Sequence, residues 1–258
     1  MIDFEGHRVV DLSPRMIARV TRMDGTVEKG NRDVFGLPWI LEEGLAEYDN
    51  TYYNLVGGRE GEPKWPIGRI SSHCGGSHIE GGKGHLDHWE GLPQENVMGL
   101  WEFPLDTFFG PAAVCYFDDL APVEGENDEG EKVMVGQPIL PEHMPHVQKG
   151  DIVIMGSPYE GDEQPTLPRE TSQWLAETGI KMLAVGFGPG VMFESDFQAT
   201  PPHNSPTHRN MLGNNIPICY PLDNIDKLSK DRVFFIALPL SVERLDATWT
   251  RALAFEEK

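Results

Sequence analysis

The segment Ser71 to Gly91, SSHCGGSHIEGGKGHLDHWEG, carries His73, His78, His85 and His88, four of the nine histidines of the chain. Imidazole is neutral near pH 7, moves protons readily and is the commonest protein ligand for zinc-like metals. His78 and Glu80 are two residues apart, a spacing that aims both side chains to one side of an extended backbone. The Gly75-Gly76 pair between His73 and His78 gives the chain the freedom to bring His73 round to the same point. Two imidazoles and a carboxylate, with a position left for water, make the donor set of a catalytic hydrolytic metal site. The same composition also describes a glycine-rich surface loop with scattered solvated histidines, and spacing alone leaves both readings open. Cys74 is the immediate neighbour of His73, and adjacent side chains rarely converge, so it stays outside the ligand set.

The elements that must position this segment are those of a mixed α/β fold. Apolar runs of strand type occupy Arg8–Leu12, Ala112–Phe117, Asp151–Met155, Met182–Val185 and Phe234–Leu238. Helical patterns are fewer: Thr171–Thr178, opening on a Thr cap and followed by Gly179, and a short one beginning at His208. The 28 glycines and 21 prolines imply many turns and long ordered loops. The expectation is one domain over residues 1–258, a mixed β-sheet core with flanking helices and long loops. The acidic run EGENDEGEK, Glu124–Lys132, reads as a solvated surface loop. Cys115 and Cys219 sit in apolar surroundings as buried thiols, and three cysteines without a CxxC pair suit a reducing compartment.

The formal charge of −20, from 41 acidic against 21 basic residues, argues against nucleic acid and anionic membrane as partners and for a small neutral or cationic molecule. The N-terminal MIDFEGHRVVDLSP has no basic segment leading into an apolar run, and no stretch is apolar for long enough to span a bilayer. A cytoplasmic location is expected.

The histidine segment resembles a variant of the H-x-G-T-H-x-D-x-P-x-H signature of the cyclase and kynurenine formamidase family of metal-dependent hydrolases, which includes isatin hydrolase. The resemblance extends to HRVVDLSP near the start, FPLDTFFGPAAV (Phe103–Val114), GIKMLAVGFGPG (Gly179–Gly190), PTHRNMLGNNIPICYPLDNID (Pro206–Asp226) and VFFIALPLSVERLDATWTRALAF (Val233–Phe255). It leaves out roughly Val20–Lys64 and the acidic run. It implies a fold of the swivelling β/β/α type and the hydrolysis of an amide, a lactam or a lactone, commonly beside an aromatic ring.

The departures from the signature bear on the chemistry. One glycine is inserted between His73 and His78, Ser77 stands where Thr is usual, and Glu80 stands where Asp is usual. The resemblance implies His73, His78 and Glu80 as metal ligands, and His85 or His88 as general base toward water and then acid toward the departing atom. His85 follows from a short gap and His88, with Trp89 behind it, from a longer one. His208 matches the histidine that faces the metal from the other side, to position water or stabilise an oxyanion. Tyr220 stands where dinuclear members carry a Glu, so one divalent ion is expected, zinc first and manganese next on donor type. That ion would lower the pKa of bound water and polarise a substrate carbonyl.

Trp65, Trp89, Trp101, Phe108 and Tyr220 are candidate walls for a substrate ring. His203 reads as a loop residue, and His143 and His146, separated by Pro145, are given no role. The family forms dimers or larger assemblies, which implies a homodimer or homotetramer, with Trp39–Tyr53 as the segment where subunit contact or substrate choice could differ. Two other functions fit the same residues: a cyclase or dehydratase acting on a polyketide-like chain, and a metal-binding protein without turnover.

Overall fold

The computed structural model describes residues 5–15, 20–21, 27–28, 52–57, 65–71, 76–85, 94–126, 130–186, 189–194, 205–243 and 245–258. For residues 20–71, 84, 85 and 94 the description is of the backbone. The fold is mixed α/β, built on a nine-stranded sheet. Numbered along the chain within that sheet, the strands are β1 His7–Asp11, β2 His78–Glu80, β3 Phe109–Tyr116, β4 Ile152–Gly156, β5 Met182–Gly186, β6 Ile218–Leu222, β7 Arg232–Ile236, β8 Ala247–Trp249 and β9 Leu253–Glu257. Their order across the sheet is β1-β9-β7-β3-β4-β5-β6-β2-β8. The middle four, β3, β4, β5 and β6, run parallel, and every other pairing is antiparallel.

The parallel strands are covered on both faces, which is why IVIMG, MLAVG and ICYPL are continuous apolar runs and buried throughout. One face packs Val153, Met155, Leu183, Val185, Ile218 and Tyr220 under Leu175, Met211 and Leu212. The opposite face packs Ile79, Ile152, Ile154, Ala184 and Cys219 against Leu12, Leu100, Phe108 and Ile225. The helices covering the first face are α2 Arg169–Thr178 and α3 Pro206–Leu212; a single turn, α1 Gly82–His85, follows β2.

Several boundaries differ from the sequence reading. The Thr171 hydroxyl does not cap α2: the helix begins at Arg169, and Thr171, buried in its first turn, donates to the Ile139 carbonyl at 2.7 Å. Its C-terminus is as expected, with Gly179 left-handed at φ 76° and its N–H closing on Leu175 and Ala176. α3 starts two residues before His208, because Pro206 suits the first helical position. β7 lies at Arg232–Ile236 rather than Phe234–Leu238, since Arg232 and Val233 pair with Ala113 and Ala112 while Leu238 is exposed.

The acidic run is not a plain loop. Val123–Glu126 pairs antiparallel with Lys132–Val135, so Glu124, Glu126 and Lys132 are exposed on two paired strands. Cys115 and Cys219 are buried free thiols, as expected. Burial, with Asp151 and Asp231 adding to it, pushes the Cys115 thiol up to about 12, and burial alone raises Cys219. Among the described residues no helix is long and apolar enough to cross a membrane.

Candidate active site

The site is assembled at the short strand β2, which lies between β6 and β8 and pairs antiparallel with both. Strand alternation sends Ile79 into the core opposite the helices and leaves His78 and Glu80 on the helix-covered face. The register places His78 across from Tyr220 on one side and Trp249 on the other, and Glu80 across from Ile218 and Ala247. The chain entering β2 is fixed by Ser77, whose hydroxyl donates to the Pro221 carbonyl at 2.8 Å and whose own carbonyl accepts from Thr250 N–H at 2.9 Å.

The chain leaving β2 explains one of the glycines. A Cβ on Gly82 would lie 1.9 Å from Val97 Cγ1, so no side chain fits where the backbone turns against residues 97–98. The Gly82 and Lys83 N–H groups there both donate to the Met98 carbonyl. This glycine is thus a condition of close approach to the core.

His78 and Glu80 have no solvent exposure. His78 Nδ1 lies 3.0 Å from the Gly76 carbonyl, an acceptor, so that nitrogen carries a proton and Nε2 is the nitrogen turned toward Glu80. Nε2 is 3.6 Å from Glu80 Oε1, beyond hydrogen-bond reach. The other carboxylate oxygen, Oε2, is 3.1 Å from His208 Nε2. His208 arrives from α3, whose Met211 and Leu212, three and four residues on, bury the same side of the helix against the sheet. Tyr220 donates its hydroxyl to Glu80 Oε1 at 2.8 Å, and its ring centroid is 4.6 Å from that of His78.

The donor set can be tested against a metal on this geometry. A carboxylate oxygen and an imidazole nitrogen that face each other in the interior need a proton or a metal ion between them. Their 3.6 Å separation suits two donors each about 2.0–2.2 Å from one ion. Among the described residues no three His, Cys, Asp or Glu side chains form a complete metal-holding group. His78 and Glu80 supply two donors at a spacing that one ion could bridge.

The remaining sequence candidates fall as follows. His73, Cys74, His88, Trp89 and His203 lie outside the described residues. His85 closes the turn α1, and Trp65 opens the strand Trp65–Ser71, which pairs with Tyr52–Gly57; both are described by backbone only. The segment Trp39–Tyr53 is described only from Tyr52. Phe108 is buried against Phe103 in the core on the sheet face away from His78, so it is no wall of this site. The Trp101 indole is spent on Gly99, against which it packs so closely that a Cβ there would sit 2.5 Å from the ring. His146 Nε2 bonds the Val114 carbonyl, and His143 Nδ1 accepts from Leu140 N–H.

Phe193 was not among the sequence candidates. Its ring meets His208 edge-on at 5.6 Å and Tyr220 at 5.9 Å, closing the site from the side of the short strand Met192–Phe193. The pairing of that strand with Thr166–Leu167 brings it there. A two-residue strand has no periodicity to read, and the GFGPG preceding it was the sole local cue.

Neither a family model nor a curated protein sequence matches this chain. Solved structures do share its fold. Isatin hydrolase A from Labrenzia aggregata, bound to benzyl benzoate, aligns over 98% of this chain and 95% of its own, at 17% identity and a TM-score of 0.59. Isatin hydrolase A from Ralstonia solanacearum aligns over 98% and 93%, at 16% identity and a TM-score of 0.56. A predicted metal-dependent hydrolase from Bacillus stearothermophilus aligns over 96% and 98%, at 17% identity and a TM-score of 0.54. At these identities the likeness is one of fold, and it runs nearly end to end in all three.

Proposed function

We propose that this chain is a metal-dependent hydrolase of the cyclase and kynurenine formamidase type, opening or cleaving a small amide, lactam or lactone. The observation that carries the reading is the buried approach of His78 Nε2 and Glu80 Oε1 at 3.6 Å, the separation two ligand atoms of one ion would have. The fold it shares with proteins named isatin hydrolase and metal-dependent hydrolase supports the reaction class.

His73, His78 and Glu80 would hold one divalent ion, zinc first and manganese next on donor type. When bound, such an ion supplies a Lewis acid that polarises a carbonyl and lowers the pKa of water. His78 keeps its ring orientation through Gly76, and Glu80 keeps its carboxylate buried, where its charge is screened less than in water. His85 or His88 takes a proton from the attacking water and returns it to the nitrogen or oxygen that departs from the carbonyl carbon, so one water is added across the broken bond. His208, held against Glu80, positions water or the oxyanion. Trp65 and Trp89 stay as proposed contacts for a substrate ring. A homodimer or homotetramer in the cytoplasm completes the proposal, and a monomer by light scattering at micromolar concentration would remove the assembly part.

The test is a screen of arylformamides, isatins, cyclic imides and lactones against metal-reconstituted protein, read by product mass. A gain of one water supports hydrolysis. Loss of water, or conversion without change of mass, points to a cyclase or dehydratase, and metal binding without any product to a binding protein.

A further inference from the structure

The phenol of Tyr220 and the carboxylate of Glu80 are joined although the sheet does not set them opposite each other. The register pairs Tyr220 with His78, so the phenol leans two residues along β2 to place its hydroxyl 2.8 Å from Glu80 Oε1. Rings hold the lean: His78 at 4.6 Å between centroids, and Phe193 edge-on at 5.9 Å. The terminal torsion of a glutamate is broad, so the plane of a carboxylate is set by whatever binds its oxygens. Here a donor on Oε1 orients that plane while Oε2 is turned to His208 Nε2 at 3.1 Å. A carboxylate has about four lone-pair positions, and one hydrogen bond from a neutral phenol leaves room for an ion on the same group.

We propose that Tyr220 is the positioning residue of Glu80: a neutral donor that fixes the carboxylate in the orientation in which it can share a divalent ion with His78. The inference rests on the metal-site reading above and goes beyond it by giving Tyr220 a task other than lining a pocket. The aromatic ring fills space and the hydroxyl does the orienting, so the two can be separated.

The test uses the full chain as wild type, as Tyr220→Phe, and with 4-aminophenylalanine at position 220, which keeps the ring and replaces the hydroxyl by an amino donor. Zinc affinity is measured by competition with a chromophoric chelator, and ligand geometry by the visible spectrum of the cobalt-loaded protein, with circular dichroism as the check on folding. Tyr220→Phe is expected to bind zinc about 10–100-fold more weakly, the usual effect of losing a partner that orients a ligand, and to change the cobalt bands. The amino variant is expected to recover most of the affinity, and it answers the question alone should Tyr220→Phe not fold, since wild-type-like binding supports the donor role and binding weakened as for a missing donor opposes it. Equal zinc affinity and an unchanged cobalt spectrum in Tyr220→Phe would overturn the proposal and leave the metal site standing. Wild-type protein that takes no zinc, cobalt or manganese would overturn the metal site itself, and this proposal with it.

Discussion

His78 Nε2 faces Glu80 Oε1 at 3.6 Å in the solvent-free interior, with the far nitrogen of the imidazole engaged by the Gly76 carbonyl. Without a metal ion, burying this carboxylate is a cost to the fold that the Tyr220 hydroxyl and His208 offset in part. Glu80→Gln removes the charge and keeps the shape. In the presence of chelator this variant is expected to melt a few degrees higher than wild type, on the scale of about 2–4 °C for each kcal/mol in a chain of this size. With metal added, wild type is expected to gain stability and the variant to gain little. A chelated variant that melts lower than chelated wild type would show that the charge of Glu80 is satisfied by protein groups alone.

The general base is the role that separates His85 from His88. A base is needed for turnover and not for ion binding. If His85 at the end of α1 is the base, His85→Ala retains metal and loses about 10² to 10⁴ in kcat, with His88→Ala nearly active. If His88 is the base the losses exchange. Small, equal losses would move proton transfer to His208, and metal loss in either variant would make that residue a ligand.

What the sequence made legible was the part governed by local spacing. His78 and Glu80 share a side because strand side chains alternate, and the buried runs of β4 and β5 read directly as strands. The Tyr220–Glu80 bond was not legible, because it depends on the antiparallel register between segments 140 residues apart. Phe193 depends in the same way on the pairing of two two-residue strands. The strand pair flanking the acidic run was missed because the charges hid the alternation carried by Val123, Val133 and Val135. β8, at three residues, was too short for a period to emerge.

Glu256 ties the last strand to the rest of the sheet. Its buried carboxylate accepts from Ser229 N–H at 2.5 Å and the Ser229 hydroxyl at 3.1 Å, and is paired with Arg8 on β1. Burial works to raise its pKa, but these donors outweigh burial and hold it below the ordinary 4.5. A carboxyl lowered in the folded state contributes stability above its unfolded value, and that contribution is lost as pH falls through the lower, folded value. Glu256→Gln should therefore destabilise at pH 7 by about 1–3 kcal/mol and approach wild type in acid below pH 4.5. Urea melts at both pH values check it, and a difference that persists unchanged in acid would remove the carboxylate from the explanation.

Burial of Cys115 and Cys219, with Cys115 pushed up to about 12, makes both thiols inert in the folded chain. In a Cys74→Ser background, a thiol reagent at pH 8 is expected to label no cysteine until denaturant is added, when two react. Rapid labelling of the native protein would place one of these strands at the surface.

The central claim is that His78 and Glu80 share a divalent ion. Elemental analysis of purified, folded protein, wild type beside His78→Ala, tests it most directly. The expected result is about one divalent ion per wild-type chain and close to none in the variant, because removing one of the three proposed ligands would leave the shell incomplete. Folded wild-type protein that holds no ion after metal reconstitution, or a His78→Ala variant that keeps its full complement, would contradict it.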